Sequence, residues 1–284
     1  MAAKLQSEGG ALTHFSLFSG IGGIDLAAEW AGFTTVGQCE FADYPTQVLQ
    51  KHWPDVPRWR DVRDVTGDAL LEKSIGEITL LSGGFPCQPH SLSGKRLASC
   101  DERDLWSEFA RIIREARPRW VLAENVRGLL SSEDGRFHGR ILRDLAGLGY
   151  DASWGVFSAF HAGAVHRRER VFIVAHAHGE RRARLDDDTA EQCNQDNFAC
   201  VEPTETTPHD ILSTALRILG EPGCRLHRND DGLPEALDRL KCCGNAVMPQ
   251  HVYLILAAIA AVERSLIADA QQTANYQGCL QPPA

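Results

Sequence analysis

Short runs of β-branched and aromatic residues alternate with amphipathic stretches along the first two thirds of the chain. The short runs predict strands at 13–18, 34–39, 78–82, 120–123, 152–157 and 171–175. The amphipathic stretches predict helices at 24–31, 44–52, 105–116 and 137–148, and apolar residues at helical spacing predict a closing helix at 249–268. Strands that alternate with helices usually pair in parallel. The pattern therefore predicts an α/β fold, a mostly parallel sheet with helices on both faces.

This alternation stops after the sixth predicted strand. The stretch from about 176 to 234 is acidic and rich in Asn, Asp and Thr, which is typical of a small lobe or a partly mobile loop. We therefore divide the chain into four parts. They are a main domain at 12–176, a small lobe at 177–235, a C-terminal segment at 236–268 that returns to the main domain, and a tail at 269–284 that we expect to be mobile.

The charges are unevenly distributed along the chain. The 284 residues carry a formal net charge of −9, but eight acids and no Lys or Arg lie between 186 and 210. Without these eight acids the charge of the chain is −1, and the segment 161–184 has a local balance of +4. A basic face for DNA beside an acidic loop fits this segregation. An ordinary polar surface fits it as well.

Composition and cysteine spacing indicate an intracellular protein. Hydrophobic residues make up 43% and charged residues 24%, the profile of an ordinary soluble globular protein. The nine cysteines include no CxxC pair, so we expect reduced thiols and no metal site. Residues 1–10 contain no apolar signal region, and the apolar run 252–262 is too short to span a bilayer. We expect a cytoplasmic location.

A glycine-rich loop follows the first predicted strand and opens the first helix. It reads FSGIGG from Phe18 to Gly23 and contains Gly20 and Gly22. Glycines let the backbone turn tightly and approach a ligand, and the helix N-terminus offers free N–H groups. A dinucleotide fingerprint would place another glycine at position 25, where this chain has Asp25. A plain strand–helix turn also explains the loop.

Two acids follow the next predicted segments. Glu40 ends the second strand, where a carboxylate commonly binds both hydroxyls of a ribose. Phe41 could lie against an adenine, and Asp61, followed by Val62, could accept the adenine amino group. Each residue has an alternative role. Glu40 could neighbour a helix N-cap, Phe41 could belong to the core, and Asp61 could be a surface acid paired with an arginine. The order of glycine loop, acid and acid favours an adenosine cofactor. No basic residue follows the glycines to bind a pyrophosphate, which favours S-adenosyl-L-methionine over a nucleotide.

A cysteine between two prolines follows the strand at 78–82. Pro86 and Pro89 flank Cys87 and keep it out of a helix at a sheet edge where α/β proteins place their chemistry. The thiolate is the reactive form of cysteine, so Cys87 would need electropositive neighbours. A buried cysteine that only packs is the alternative. The following residues form a hydroxyl-rich and basic loop suited to a phosphate backbone, with Gln88, Ser91, Lys95 and Arg96.

An acid and two arginines complete the candidate chemistry. Glu124 and Asn125 follow the strand at 120–123, so Glu124 could face Cys87 and share a proton with a ring nitrogen. Arg168 and Arg170 precede the strand at 171–175 and lie on one side of an extended chain. They could hold a base carbonyl and orient Glu124. A solvated Arg–Glu surface cluster is the alternative.

Taken in order, these pieces resemble the C5-cytosine DNA methyltransferases of bacterial and phage restriction–modification systems. The matching segments are FSGIGG at 18–23, EF at 40–41, DV at 61–62, GGFPCQPHS at 83–91, ENV at 124–126, HRRER at 166–170 and GNAVMPQ at 244–250. The resemblance extends from about residue 13 to 262. It implies a Rossmann-like methyltransferase fold with a small target-recognition lobe.

The resemblance also implies a covalent mechanism on double-stranded DNA. The target cytosine is flipped out of the duplex, Cys87 attacks its C6 atom, and Glu124 engages the N3 edge. Arg170 contacts the base carbonyl and Arg168 supports the site. Asn245 and Val247 return to the cofactor pocket. Pro86 and Asn125 join Gln88, Ser91, Lys95 and Arg96 as expected substrate contacts. We expect a monomer without a membrane partner. A cognate restriction endonuclease that acts separately is compatible with the resemblance.

Two departures from the family pattern affect the expected DNA contacts. His166 stands where the family usually has Gln. The recognition lobe is short and strongly acidic in its first half, so DNA contacts there are expected from arginines. They are Arg181, Arg182, Arg184, Arg225 and Arg228.

Three alternatives remain at this point. A tRNA cytosine-5 methyltransferase has the same fold and catalytic motifs, although its recognition signature is not evident in this chain. An inactive DNA-binding regulatory homologue would keep the fold without the chemistry, which the intact Cys87, Glu124 and Arg168 disfavour. An NAD-dependent dehydrogenase would rest on the glycine loop alone. The target sequence cannot be derived from the chain.

Overall fold

The computed structural model describes residues 11–86, 105–159, 168–178 and 246–279. In these residues a seven-stranded sheet has the order β3-β2-β1-β4-β5-β7-β6. The strands are β1 Thr13–Leu17, β2 Thr34–Cys39, β3 Arg58–Trp59, β4 Leu80–Gly84, β5 Trp120–Val126, β6 Tyr150–Ser158 and β7 Glu169–Ala177. The first five strands pair in parallel, and β7 lies antiparallel between β5 and β6. The predicted mostly parallel α/β sheet is confirmed, with β7 as the antiparallel exception.

Helices cover the sheet. They are α1 Gly23–Ala31, α2 Asp43–His52, α3 Gly67–Glu72, α4 Trp106–Ala116, α5 Arg136–Gly147 and α6 Pro249–Cys279. Short 3₁₀ segments lie at Val62–Asp64 and Arg127–Gly135. The four predicted helices and the closing helix are present. The closing helix continues past residue 268, so the part of the predicted tail up to Cys279 is helical.

The central strands are buried on both faces because successive side chains point to opposite sides. Leu81, Val121 and Ala123 belong to one buried cluster, which includes Phe109 and Ile113 of α4. Leu80, Trp120 and Leu122 belong to a second buried cluster on the other face. That cluster includes Ile24, Ala27 and Ala28 of α1 and Val252, Ile255 and Ile259 of α6. The central strands are thus packed between two buried cores.

Helix α6 is apolar and is fixed to the sheet by a buried acid. By length and mean hydropathy (1.6), Pro249–Ala268 would be long enough to cross a membrane. In the structure Val252, Ile255 and Ile259 are fully buried in the core. Glu263, also fully buried, accepts hydrogen bonds from Trp120 Nε1 at 2.8 Å and Arg119 Nη1 at 2.5 Å. This helix is therefore a core element of the fold.

The lobe predicted at 177–235 lies outside the described residues except for Ala177 and His178. The division into four parts stays a prediction. Within the described residues, the return of the C-terminal segment is visible where α6 packs on α1.

Candidate active site

The register of the sheet brings four strand ends to one edge. Leu17 of β1 pairs with Cys39 of β2 and with Gly83 of β4. Gly84, at the end of β4, pairs with Glu124 of β5. Because these strands are parallel, the residues that follow them lie side by side. This edge carries the glycine loop, Glu40, the segment leading to Cys87, and Glu124.

The glycine loop requires residues without side chains. Gly20 and Gly22 have positive φ angles of 55° and 84°, and Phe18 also adopts the left-handed region with φ 52°. A Cβ atom on Gly22 would lie 2.4 Å from the ring of Trp53. A Cβ atom on Gly23 would lie 2.1 Å from the carbonyl oxygen of Val247. At Gly20 a Cβ atom would meet nothing within 4 Å. The loop is thus packed closely at Gly22 and Gly23 and open at Gly20.

Glu40 links the glycine loop to the end of β2. Its Oε2 accepts a hydrogen bond from the Gly20 N–H at 2.8 Å, and its Oε1 accepts one from the Ala42 N–H at 2.9 Å. The neighbouring Phe41 ring is 74% exposed. Arg60 donates from Nη2 to the Phe41 carbonyl and to Asp43 Oδ1, both at 2.5 Å. The carboxylate therefore lies beside the open part of the loop, next to an exposed aromatic ring.

Asp61 and Val62 differ in what they offer a ligand. Oδ1 of Asp61 accepts the Arg63 N–H at 2.9 Å and caps the 3₁₀ segment that follows. The Val62 side chain is buried in the core, and its carbonyl accepts a hydrogen bond from Arg111 at 3.2 Å. Only Asp61 presents a partly exposed polar side chain at this position.

The segment that leads to Cys87 is fixed from two sides. The Phe85 ring is buried, and its centroid lies 5.3 Å from that of Trp106, 6.3 Å from Phe109 and 6.5 Å from Phe137. Nδ2 of Asn125 donates to the Phe85 carbonyl at 3.0 Å, and Oδ1 of Asn125 accepts the Val126 N–H at 2.8 Å. Both polar ends of the Asn125 side chain therefore bind backbone. The substrate contact expected for Asn125 stays a prediction, and no feature of the sequence signals this internal use.

Glu124 is a buried carboxylate with a shifted pKa. Burial raises its pKa to about 7. The positive charges of Arg170 and Arg168 lower the pKa and so oppose this rise. Nε of Arg170 lies 2.8 Å from Oε1, and the hydrogen bond from Arg170 also lowers the pKa. A Cβ atom on Gly84 would lie 2.9 Å from Oε2, so that glycine makes room for the carboxylate.

Arg168 connects the two motifs that flank the lobe in sequence. Its Nη2 donates to the Ala246 carbonyl at 2.6 Å. The next residue, Val247, is buried, and its carbonyl lies against Gly23. Arg170 Nη1 donates to the Glu169 carbonyl at 2.9 Å, and the Glu169 carboxylate pairs with Arg127. Segments distant in sequence thus meet around Ala246 and Val247.

Several predicted site residues lie outside the described residues. They are Cys87, Gln88, Ser91, Lys95, Arg96, His166, Arg181, Arg182, Arg184, Arg225, Arg228 and Asn245. Pro86 ends a described segment and is exposed. The structure therefore brings together the residues predicted at the strand ends, and the roles predicted for the others stay predictions.

Comparison with known proteins identifies the family. The sequence model for C-5 cytosine-specific DNA methylase matches residues 12–222. Type II methyltransferase M.NgoMIV of Neisseria gonorrhoeae is 37% identical over 165 residues, which cover 57% of this chain and 51% of that protein. Type II methyltransferase M.AquIA of Picosynechococcus sp. is 36% identical over 178 residues, which cover 58% of this chain and 72% of that protein. The chain spans about half the length of M.NgoMIV and 37% of M.Sau96I of Staphylococcus aureus.

Solved structures share the fold. A candidate DNA modification methyltransferase encoded within a prophage of E. coli superposes with a TM-score of 0.52 at 26% identity, covering 63% of this chain and 49% of that one. The S. pombe Dnmt2 methyltransferase superposes with a TM-score of 0.56 over 87% of this chain and 98% of that one. At 15% identity this second likeness concerns the fold alone. The chain belongs to the C-5 cytosine-specific DNA methylase family.

Proposed function

We propose that the chain is a DNA (cytosine-5-)-methyltransferase that transfers a methyl group from S-adenosyl-L-methionine to C5 of a cytosine in double-stranded DNA. The observation that carries this proposal is the buried Glu124, with a pKa of about 7, beside Arg170. It lies at the strand end adjacent to the one that leads into Cys87. Membership of the family and the type II methyltransferases among its relatives support the same activity.

The edge around the glycine loop fits S-adenosyl-L-methionine. The loop is open at Gly20, where a Cβ atom would meet nothing within 4 Å. The carboxylate of Glu40 is held beside it by backbone N–H groups, one on each oxygen. We propose that Glu40 binds the ribose hydroxyls, that Phe41 lies against the adenine, and that Asp61 accepts its amino group. Phe18, Gly22, Gly23, Val62, Asn245 and Val247 would shape the remainder of the pocket. When bound, the cofactor supplies an electrophilic methyl group.

Glu124 is suited to hold and share a proton with the ring of the base. A carboxyl group with a pKa of about 7 is roughly half protonated at neutral pH. In the protonated form it can donate to N3 of cytosine, which makes C6 more electrophilic. Arg170 would then bind the carbonyl of the base.

Cys87 is the proposed nucleophile. Its thiolate forms a bond to C6 of the flipped cytosine while N3 takes a proton from Glu124. C5, now rich in electrons, takes the methyl group, with S-adenosylhomocysteine as the leaving group. A base then removes the proton from C5, the bond between sulfur and C6 breaks, and the thiolate is regenerated. The charges of Arg168 and Arg170 favour the thiolate if Cys87 lies within their reach.

We propose that DNA is held by the loop after Pro86 and by the lobe. The loop would contribute Gln88, Ser91, Lys95 and Arg96, and the lobe would contribute Arg181, Arg182 and Arg228. Arginine and lysine side chains bind phosphates, and a few side chains in the lobe would read the bases. We expect a monomer that acts in the cytoplasm of a bacterium or of a phage-infected cell. A cognate restriction endonuclease that acts separately is compatible with this proposal.

Transfer of tritium from labelled S-adenosyl-L-methionine tests the proposal. Duplex DNA, tRNA and buffer are compared as acceptors for the full chain. We expect label in DNA, released as tritiated 5-methylcytosine on hydrolysis, and none with Cys87→Ala. Label in tRNA without label in DNA would contradict the proposed substrate. A wild-type chain that labels neither acceptor would contradict the activity.

A further inference from the structure

Three fully buried polar side chains form a hydrogen-bonded series beneath the glycine loop. Oγ of Ser16 in β1 lies 3.1 Å from Oδ2 of Asp25, to which it can donate. Oδ1 of Asp25 accepts a hydrogen bond from Nε2 of Gln38 in β2 at 2.9 Å. The exposed fraction of each of the three side chains is 1% or less. We call Ser16, Asp25 and Gln38 the buried polar series.

One end of the buried polar series reaches the glycine loop at Ser19. Oγ of Ser16 lies 2.6 Å from Oγ of Ser19. The Ser19 N–H donates to the Cys39 carbonyl at 3.0 Å, and the Ser19 carbonyl accepts the Gly22 N–H at 2.9 Å. Ser19 is therefore the residue at which the loop is attached to β2 and closed on itself. A change in the position of Ser16 would be passed to Ser19 directly.

The other end of the buried polar series reaches the loop from the opposite side. Oε1 of Gln38 accepts hydrogen bonds from Nε and Nη2 of Arg58 at 3.0 and 2.9 Å. Nη2 of Arg58 also donates to the Trp53 carbonyl at 2.8 Å. The Trp53 ring lies against Gly22, where it leaves no space for a Cβ atom. The series thus ends on both sides at residues that fix the loop.

Asp25 is the central member, and its carboxylate is costly to bury. Burial raises its pKa to about 6, while hydrogen bonds from Gln38 and Ser16 lower it. An apolar side chain at this position, on the core face of α1, would avoid the loss of hydration. A carboxylate accepts hydrogen bonds from two directions at once, which an apolar side chain cannot do. It can therefore hold Ser16 and Gln38 at fixed distances on either side.

We propose that Asp25 is a positioning residue that holds Ser19 and Gly22, and with them the glycine loop, in the conformation that binds the methyl donor. Asp25 acts through Ser16 and Gln38 and does not touch the cytosine. The inference rests on the proposed function, because it concerns the same cofactor site. It predicts that loss of the series weakens binding of the cofactor and leaves the chemical step at saturating cofactor unchanged.

Calorimetry with S-adenosylhomocysteine on the full chain tests this inference. Asp25→Ala and Ser16→Ala interrupt the series. Asp25→Asn keeps the shape of the side chain, can accept the hydrogen bond from Gln38 and can donate one to Ser16. Thr35→Val is the matched control. It removes a buried hydroxyl that lies 3.3 Å from His14 Nδ1 in the same two strands but away from the loop. Melting temperatures of all variants show whether each remains folded.

We expect Asp25→Ala and Ser16→Ala to bind S-adenosylhomocysteine about 10-fold more weakly than wild type, which corresponds to about 1.4 kcal/mol. Asp25→Asn should restore affinity to within about 3-fold, because it keeps the hydrogen bonds. KM for S-adenosyl-L-methionine should rise by about the same factor as the dissociation constant. The value of kcat should stay within about 2-fold of wild type. Thr35→Val should bind like wild type.

The inference is wrong if folded Ser16→Ala binds S-adenosylhomocysteine as tightly as Thr35→Val. Should Asp25→Ala fail to fold, Ser16→Ala and Asp25→Asn decide the question. A lower kcat at unchanged KM in Ser16→Ala would also overturn it, because the series would then serve the chemical step. If wild type itself binds no S-adenosylhomocysteine, the proposed function fails. If wild type binds S-adenosylhomocysteine and the folded variants bind it as tightly as wild type, only the role of Asp25 fails.

Discussion

Arg170 reaches Glu124 diagonally across the antiparallel pair of β5 and β7. Arg170 is opposite Val126 in the register, two residues along β5 from Glu124, and side chains two apart lie on the same face. Its Nε is 2.8 Å from Oε1 of Glu124. The insertion of β7 between β5 and β6 thus provides the charge that limits the rise in the pKa of Glu124. A parallel strand at this place would run in the other direction and would begin at the opposite edge.

Replacement of Arg170 by methionine should change the pH dependence of methyl transfer. Loss of the guanidinium removes a charge that lowers the pKa of Glu124, so that pKa rises above about 7. If the protonated form is required, the fall of kcat/KM on the alkaline side should move to higher pH. The measurement is the pH profile of kcat/KM.

Arg127→Met is the control for this shift. Arg127 pairs with Glu169 and is mostly exposed, and it does not contact Glu124. Its pH profile should match that of wild type. An Arg170→Met profile that coincides with both would contradict the assignment of the alkaline limb to Glu124.

Glu124→Gln should lose activity and gain stability at alkaline pH. The loss of a titratable proton should lower kcat at least about 100-fold. The pKa of the folded state lies above the ordinary value of 4.5, so stability due to the protonated carboxyl is complete below pH 4.5 and lost as the pH rises through about 7. Glutamine does not ionise. The difference in free energy of unfolding between the variant and wild type should therefore increase by on the order of 3 kcal/mol from pH 4.5 to pH 8.

Urea denaturation at both pH values measures this difference. Affinity for S-adenosylhomocysteine should be unchanged, since Glu124 is not part of the glycine loop. A constant difference in stability across this range would mean that Glu124 is not buried with a raised pKa.

The order of the main strands and helices could be predicted from sequence, but several strand ends and the contacts between strands could not. The strand β4 ends at Gly84 and β5 at Val126, beyond the predicted ends at 82 and 123, so Glu124 and Asn125 lie within β5 and do not follow it. The strand β2 and the ends of helices such as α1 follow directly from hydrophobic pattern and glycine position. The two-residue strand β3 and the six-residue helix α3 are too short to give a period, and they were not predicted. Motif residues meet at one edge because they follow neighbouring parallel strands.

Asp25 illustrates the limit of sequence reasoning most clearly. In the sequence it was only a departure from a dinucleotide fingerprint. In the structure its carboxylate joins Ser16 and Gln38, whose positions depend on the pairing of β1 with β2. An acid on the apolar face of an amphipathic helix was the signal that could have drawn attention to it. The choice of partners required the tertiary structure.

Gly23→Ala should strongly destabilise the fold. The new Cβ atom would lie 2.1 Å from the Val247 carbonyl oxygen, a backbone atom just before α6 begins. We expect the free energy of unfolding to fall by about 2–3 kcal/mol. Thermal or urea denaturation measures the loss, and affinity for S-adenosylhomocysteine should fall with it.

Gly139→Ala is the matched substitution for this prediction. Gly139 lies within α5, and a Cβ atom there would meet nothing within 4 Å. Alanine favours the helix over glycine by about 0.5–1 kcal/mol, so the variant should be slightly more stable than wild type. Equal stability of Gly23→Ala and wild type would mean that the segment at 246–248 does not pack on the glycine loop.

Glu263→Ala should test the connection between α6 and the sheet. The substitution leaves the buried Trp120 Nε1 without its acceptor and Arg119 without its closest carboxylate. We expect a loss of about 2–3 kcal/mol in the free energy of unfolding, measured by urea denaturation. Glu77→Ala removes a largely exposed partner of Arg119 at 3.8 Å and should cost less than about 0.5 kcal/mol. Similar losses in the two variants would contradict the buried contact.

The most direct test of the proposed chemistry is covalent trapping on duplex DNA that contains 5-fluorocytosine at the methylation site. Fluorine at C5 cannot leave as a proton does, so the bond between sulfur and C6 persists after methyl transfer. With S-adenosyl-L-methionine, wild type should give a protein–DNA band that survives denaturing electrophoresis, and Cys87→Ala should give none. Cys39→Ala should trap like wild type, because burial raises the pKa of the Cys39 thiol to about 12 and keeps it unreactive. A band of equal intensity with Cys87→Ala, or no band with wild type that methylates ordinary DNA, would contradict covalent catalysis through Cys87.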